Sequence, residues 1–235
     1  YENLFLRKEI AGFRTNIRRE QSCSIKSLTR DYLYKQLLSS GEYTFDHMLV
    51  IKDPYGEAPL TALALFILEE PACVRVTTKG NLKETDFVTE LPKKKEHRVP
   101  ILGMYAEKAN DIVIEILDDE GNCVKSHTFT IRTKRLPKSL RNVITVKKWT
   151  DKPAYSNIMI NGGVKIHTCV FDIEGEIRYY LSRKPRGYGI FPLSDGHFFY
   201  MEKYISVPSY SNPQTVESYD CLLYTSPSPR DAHES

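Results

Sequence analysis

The sequence predicts an all-β protein: an antiparallel β-sandwich, then an incomplete propeller blade of shorter strands, preceded by a short helical arm. Three observations support this prediction. Tyr (15) and Phe (10) are abundant, and aromatic and β-branched residues favour strands. Apolar and polar residues alternate in several short segments, which is typical of half-buried strands. Turn residues separate these segments at intervals of about 8 to 12 residues, as they do in sandwiches.

Residues 1–44 predict the helical arm. A first helical face has apolar residues spaced four, three and four apart, namely Leu6, Ile10, Phe13 and Ile17. A second helix is expected from about Ile25 to Ser39, capped by Ser24 and ended by Gly41. Its expected apolar face comprises Ile25, Leu28, Tyr32, Leu33 and Leu37. The arm either binds a partner or packs on its own protein or a second copy, and packing is the favoured interpretation.

Residues 45–137 predict the sandwich. The central stretch, residues 53–66, begins with a tight turn in which Pro54 sets φ and Gly56 can take a positive φ. An apolar run then predicts a buried strand over residues 60–68, and Glu69 to Pro71 ends it. Pro100 predicts an edge strand or a bulge. The other expected strands are 47–52, 72–78, 86–90, 97–102, 110–117 and 123–133, with a charged loop at 93–96 and a hairpin turn at 118–122.

The pattern changes after residue 137. Residues 135–140 predict a linker. Residues 158–160 lead to a tight turn at 161–163. Strands are then expected at 164–171, 176–181, 187–191 and 197–203, and a last piece at 215–220 would pair at the edge. About four strands joined by tight turns are typical of one propeller blade, and we therefore assign residues 138–220 to it.

Several uncommon strings resemble the N-terminal domain of bacterial arylsulfotransferases (aryl-sulfate sulfotransferases). They are DPYGEAPLTA (53–62), VRVTTKG (74–80), HRVPILGMY (97–105) and DDEGN (118–122). FDIEGEIRYYL (171–181) and GIFPLSDGH (189–197) resemble the family's first propeller blade. The resemblance implies that the sandwich is Ig-like, which agrees with the strand pattern. A single blade does not close a propeller, so the chain is expected to be truncated.

The resemblance also implies a chemistry. The family transfers a sulfuryl group from a phenolic sulfate ester to a phenol, through a sulfo-histidine intermediate and without a nucleotide sulfate donor. Histidines and an arginine at the propeller centre act as nucleophile, proton carriers and sulfate ligands. These residues belong to later blades. We therefore assign no catalytic, cofactor-binding or metal-binding residue to this chain, and we expect no cofactor and no enzymatic turnover from it alone.

The histidines present favour structural roles. His197 opens a strand after an Asp-Gly turn, and His167 lies within a strand. Three further histidines, His47, His97 and His127, belong to the sandwich. A basic loop comprises Arg183, Lys184 and Arg186, and a solvated hairpin loop is favoured there over a sulfate site.

Composition excludes some function classes. The net charge of +3 gives no electrostatic case for nucleic acid, and there is no apolar span of membrane length. Five scattered cysteines form no CxxC pair, so free and mostly buried thiols are expected and zinc is not. A Cys73–Cys123 bridge stays open as an alternative. The resemblance allows a homodimer and export to the periplasm, but no signal peptide is visible and the chain begins at Tyr1.

Residues 221–235 match no blade. The string CLLYTSPSPRD (221–231) resembles translated sequencing-adapter sequence, so this tail is expected to be an artefact. The alternative is a Ser/Pro-rich disordered segment. Two functions remain open for the whole chain: a fragment of an aryl-sulfate sulfotransferase, or a non-catalytic Ig-like module for binding or dimerisation.

Overall fold

The structure is a computed structural model of the 235-residue chain. It describes residues 29–147, 167 and 169–182 in full. For residues 23–28, 157–160, 190–192, 198–207, 210–219 and 225–226 it describes the backbone alone. The predicted first helical face, with Leu6 to Ile17, lies outside the described residues. So do Arg183, Lys184, Arg186 and His197.

The first part of the chain is an antiparallel five-stranded sheet. Its strands are β1 (Leu49–Lys52), β2 (Ala62–Thr78), β3 (Phe87–Ile101), β4 (Ala109–Leu117) and β5 (Cys123–Arg132). Strand β2 is central, because β3 pairs along one side of it while β1 and then β4 pair along the other. Strand β5 extends the sheet beyond β4. A mostly β fold with antiparallel sheets and a short N-terminal helix is therefore confirmed.

Strands β2 and β3 are longer than the sequence predicts. Residues 60–68 and 72–78 were expected to be separate strands, and so were 86–90 and 97–102, but each pair is one continuous strand. The predicted charged loop at 93–96 is wrong, since these residues lie within β3 and are exposed. The β2–β3 register shifts between Ile67 and Val74, and such bulges bend a strand without ending it. Pro71 falls in this irregular stretch, where its missing N–H costs no ladder bond.

The apolar run at the start of β2 is buried on both faces. Ala62, Ala64 and Phe66 face the main core, which also contains Val74 and Val76 from the second half of the strand. Leu63 and Leu65 face a second cluster. Successive side chains of a strand alternate between faces, so a run without polar interruption requires a cover on each side.

Helix α1 (Cys23–Ser39) covers the second face. Tyr34 and Leu38 pack against Leu63, Leu65 and the neighbouring strand β1. The predicted apolar face is therefore wrong in part, because Tyr32 is 65% exposed and Tyr34 takes its place. Ser24 is wrong as the cap, since the helix begins before it. Gly41 is confirmed as the stop, with φ of 72° and its N–H bonded to Leu38 O.

The later strands form two sheets. Strands β6 (Asn157–Ile160), β7 (Cys169–Asp172) and β8 (Ile177–Tyr180) make one three-stranded antiparallel sheet. Strands β9 (Ile190–Pro192), β10 (Phe198–Val207), β11 (Tyr210–Tyr219) and β12 (Thr225–Ser226) make a four-stranded one. The strands predicted for one blade are thus divided between two sheets. The turn at 172–175 is confirmed, with Gly175 N donating to Asp172 O at 2.9 Å.

Candidate functional site

The strongest concentration of buried polar groups lies between the five-stranded sheet and the β7–β8 hairpin. Its centre is an ion pair in which Arg178 Nη1 is 3.1 Å from Asp172 Oδ2. The two side chains are 1% and 0% exposed. Charged groups are seldom this buried unless paired and hydrogen-bonded. We call this set, Thr85, Gly103, Tyr105, Asp172 and Arg178, the junction site.

The Arg178 guanidinium binds both sides of the junction. Its Nε donates to Gly103 O at 2.7 Å, and Nη1 donates to Thr85 O at 2.8 Å. Its Cζ lies 4.0 Å from the centre of the Tyr105 ring, within the range of a cation–π contact. The fixed fork of donors on Arg suits such a set of acceptors better than a Lys ammonium does. Arg178 therefore holds two loops of the sheet to the hairpin on which it lies.

Tyr105 connects the remaining groups. Its hydroxyl donates to Asp172 Oδ2 at 3.0 Å and accepts from the Asn81 N–H and from Arg178. Burial raises the pKa of Tyr105, so the hydroxyl stays protonated and able to donate at neutral pH. The backbone of Tyr105 is held by Asn110, whose side chain accepts from Tyr105 N and donates to Tyr105 O.

Two glycines allow the loops to approach the site. Gly103 has φ of 73°, and a Cβ there would lie 2.8 Å from Phe87 Cβ. At Gly80 a Cβ would lie 2.4 Å from the backbone carbon of Thr85. Both contacts are shorter than side chains tolerate, so a residue without Cβ is required at each position. The carbonyls of Gly103 and Thr85 are thereby placed where Arg178 reaches them.

Asp172 uses its two carboxylate oxygens differently. Oδ1 accepts from the Glu174 and Glu176 N–H groups of its own turn, at 3.0 and 3.1 Å. Oδ2 accepts from Tyr105 and Arg178.

Breaking a buried ion pair by removing one partner costs about 3–5 kcal/mol, since the other charge remains buried. Within the described part of the chain Arg178 Nη2 has no hydrogen-bond partner. Such a buried donor costs about 1–3 kcal/mol, so the pair is better suited to fixing a geometry than to adding stability.

The predicted tight turn around Pro54 and Gly56 forms a second contact between the same two parts. Gly56 has the expected positive φ, 78°, and its N–H donates to Asp53 O. Ser182, which follows β8, donates its N–H to Glu57 O at 2.8 Å. On the other side, Tyr34 of helix α1 donates its hydroxyl to Pro54 O. Burial raises the pKa of Tyr34 to about 12. The turn therefore lies between the helix and the hairpin.

Two of the histidines singled out in the sequence are structural. His97 is buried in β3, stacked on Phe66 with ring centres 5.3 Å apart, and donates Nε2–H to Lys94 O. Burial lowers the pKa of His97, so the ring is neutral at physiological pH. His167 is buried and donates Nδ1–H to Leu181 O at 2.6 Å.

Two more of these histidines, His47 and His127, lie in one open groove of about 360 Å³ on the five-stranded sheet. Its lining residues are Tyr43, Asp46, His47, Met48, Val50, His127 and Phe129. Asp46 is engaged by Lys125 Nζ at 2.7 Å, which lowers the pKa of the Asp46 carboxyl. In the described part of the chain no three metal-ligating side chains lie close enough to hold an ion.

The cysteines are free where the structure describes them. Cys73 and Cys123 both pair with Leu117, from opposite sides. Two strand spacings, about 10 Å, separate them, and a disulfide needs Cα atoms within about 7 Å. The alternative of a Cys73–Cys123 bridge is therefore wrong. The expectation of buried thiols holds for Cys169 but not for Cys123, which is exposed.

The fold and the junction site define the class of protein. It is an antiparallel β-domain that is covered by a helix and packs against the β7–β8 hairpin that follows it in the chain. Residues 49–134 match the model of the arylsulfotransferase Ig-like domain, and this part of the chain is such a domain. The resemblance stated for residues 45–137 is thereby confirmed. No curated protein matches the chain. The described residues include no helix long and apolar enough to cross a membrane.

Sequence reasoning did not single out the residues of the junction site, although a signal was present. Gly103 and Tyr105 lie in one of the strings that resemble the family, Gly80 ends a second, and Asp172 and Arg178 lie in a third. In strand β8 Arg178 is a charge between apolar and aromatic neighbours. A charge in such a run indicates a buried partner, but the sequence does not show which acid or carbonyl supplies it.

Proposed function

We propose that this chain is part of an aryl-sulfate sulfotransferase, in which residues 49–134 form a non-catalytic domain. The observation that carries the proposal is the match of this segment to the arylsulfotransferase Ig-like domain. The junction site supports a structural role, because its charged groups are buried and engaged with each other. Residues 138–220 would then begin the propeller, and the helical arm would cover the Ig-like domain.

In the proposed reaction a histidine outside this chain attacks the sulfur of a phenolic sulfate ester. The nitrogen–sulfur bond forms, the ester oxygen–sulfur bond breaks, and the donor leaves as a phenol after taking up a proton. An acceptor phenol then loses its proton and attacks the sulfur, which restores the histidine. This chain contributes no group to either step. Its part is to present the Ig-like domain and the strands that follow.

The test compares two proteins from the same source. One is this chain, and the other is the longer protein obtained if the reading frame continues into further propeller strands. Each is incubated with 4-nitrophenyl sulfate and an acceptor phenol, and nitrophenol release and acceptor sulfation are measured. We expect transfer by the longer protein and none by this chain. Without acceptor, the longer protein should carry sulfate on a histidine.

Two outcomes would contradict the proposal. Transfer by this chain alone would show that its own residues catalyse the reaction. A longer protein with no transfer, or a frame without further blades, would favour the non-catalytic Ig-like module for binding or dimerisation. A nucleotide sulfate donor serves as the control, and we expect no transfer from it.

A further inference from the structure

We infer that the β7–β8 hairpin belongs to the same cooperative folding unit as the Ig-like domain, and that Arg178 is the positioning residue that fixes it there. The unit therefore extends past residue 134, where the family match ends, to about residue 182. This inference does not depend on the proposed sulfotransferase activity.

The hairpin shares the main core of the Ig-like domain. Four residues of the hairpin belong to the main core of the Ig-like domain: Cys169, Phe171, Ile177 and Tyr180. All four are buried, as is Leu140 between the two parts of the chain. The core also contains Ile112 and Ile114 of β4. Interiors are close-packed and leave few voids, so removing the hairpin would expose part of the domain's own core.

Arg178 of the hairpin binds the backbone of the Ig-like domain. Its acceptors on the Ig-like domain are backbone carbonyls, Thr85 O and Gly103 O, from two separate loops. These oxygens converge only when both loops are folded, which needs the close approaches at Gly80 and Gly103. The hairpin therefore binds a site that exists only in the folded domain. By linkage, the bound hairpin must stabilise those loops by the same amount.

The hairpin is held on the domain at two places along its length. The junction site fixes the turn and start of the hairpin through Asp172 and Arg178. The bond from Ser182 N to Glu57 O holds its end. These two contacts, at opposite ends of β8, define both the position and the direction of the hairpin on the Ig-like domain. The hairpin is thus fixed on the domain along its length up to Ser182.

Hydrogen exchange of the full chain, read by mass spectrometry, tests the inference. Arg178→Met keeps an apolar stem but removes every guanidinium hydrogen bond. We expect exchange to accelerate by about 100-fold or more both in residues 169–182 and in the loops at 79–86 and 102–106, because the Asp172 charge is left buried and unpaired. The matched control is Arg75→Met, which breaks the half-buried Arg75 pairs with Glu90 and Glu115 and the bond to Gly121 O, and it should leave both regions unchanged.

Faster exchange confined to residues 169–182 in Arg178→Met would overturn the inference, since the loops would then be independent of the hairpin. Tyr105→Phe covers the case in which Arg178→Met does not fold. It keeps the ring under Arg178 and removes the hydroxyl shared by Asn81, Asp172 and Arg178. We expect faster exchange on both sides of the junction. An effect on the loops at 79–86 and 102–106 without any effect on the hairpin would overturn the inference.

Discussion

At the scale of single residues, backbone approach matters as much as side-chain chemistry. Gly103 combines a positive φ with a contact to Phe87, whereas Gly121 has a similar φ of 84° and open space around its Cα. The two glycines therefore separate the cost of a left-handed backbone from the cost of a steric clash. Both lie in strings that resemble the family, but the sequence does not distinguish them.

We predict that Gly103→Ala destabilises the protein by about 3 kcal/mol or more, because the new methyl group clashes with Phe87 in addition to the strained φ. Gly121→Ala, the matched control, should cost about 1 kcal/mol from φ alone. Urea unfolding of both variants measures the difference. Equal losses for the two variants would show that the Phe87 contact is not limiting.

Because His97 is buried, we predict that the free energy of unfolding depends on pH. Burial holds its folded pKa below the unfolded value of about 6.5. The unfolded state therefore binds the proton first, and stability that is complete above about pH 6.5 is lost as the pH falls toward the folded pKa. Unfolding by urea between about pH 5 and about pH 7 measures the slope. His97→Gln should reduce the slope; equal slopes in the variant and the unchanged protein would contradict the assignment.

At the scale of helices and strands, the neighbouring elements decide which side chains of each element are buried. The apolar run of β2 needs a cover on both faces, and helix α1 supplies the second one. The helix face was predicted wrongly in part, since Tyr34 and Leu38 are buried while Tyr32 is exposed. The choice depends on which side chains the sheet can accommodate, and the weakly amphipathic helix sequence does not specify it.

We predict that Leu38→Ala lowers the free energy of unfolding by about 2–5 kcal/mol, because it leaves a cavity between helix and sheet. Tyr32→Ala, on the exposed side of the same helix, should change it by at most about 0.5 kcal/mol. Thermal and urea unfolding followed by circular dichroism compares them. A large loss for Tyr32→Ala would indicate that the helix packs in a different rotation.

At the scale of the whole molecule, the main core joins segments that are distant in sequence. Phe45, Ile101, Ile131 and Ile177 all belong to it. The predicted boundary near residue 137 separates two patterns of strands and stays a prediction for domain organisation. The buried contacts, however, cross it.

Cys169 reports on this shared core. The Cys169 thiol is buried, so a reagent cannot reach it in the folded state. Burial also raises the pKa of Cys169, which reduces the fraction present as the reactive thiolate. We predict that alkylation of Cys169 begins at the urea concentration at which β2 and β4 lose amide protection. Exposed Cys123 should react at once and serves as the internal control. Fast labelling of Cys169 in native buffer would contradict the shared core.

The sequence by itself determined the strand-rich class, the tight turns around Pro54 and Gly56 and at residues 118–122 and 172–175, the helix stop at Gly41 and the family of the Ig-like domain. These features depend on local backbone preferences and on uncommon sequence strings. Both can be recognised in the sequence without knowing which distant residues are in contact. Only the tertiary structure decided that β2 and β3 run on through their irregular middles, that Tyr34 faces inward and that Asp172 and Arg178 meet Tyr105. Those outcomes depend on which residues, distant in sequence, are buried together. The free energy of burying them is larger than the local preference of each residue for helix, strand or turn.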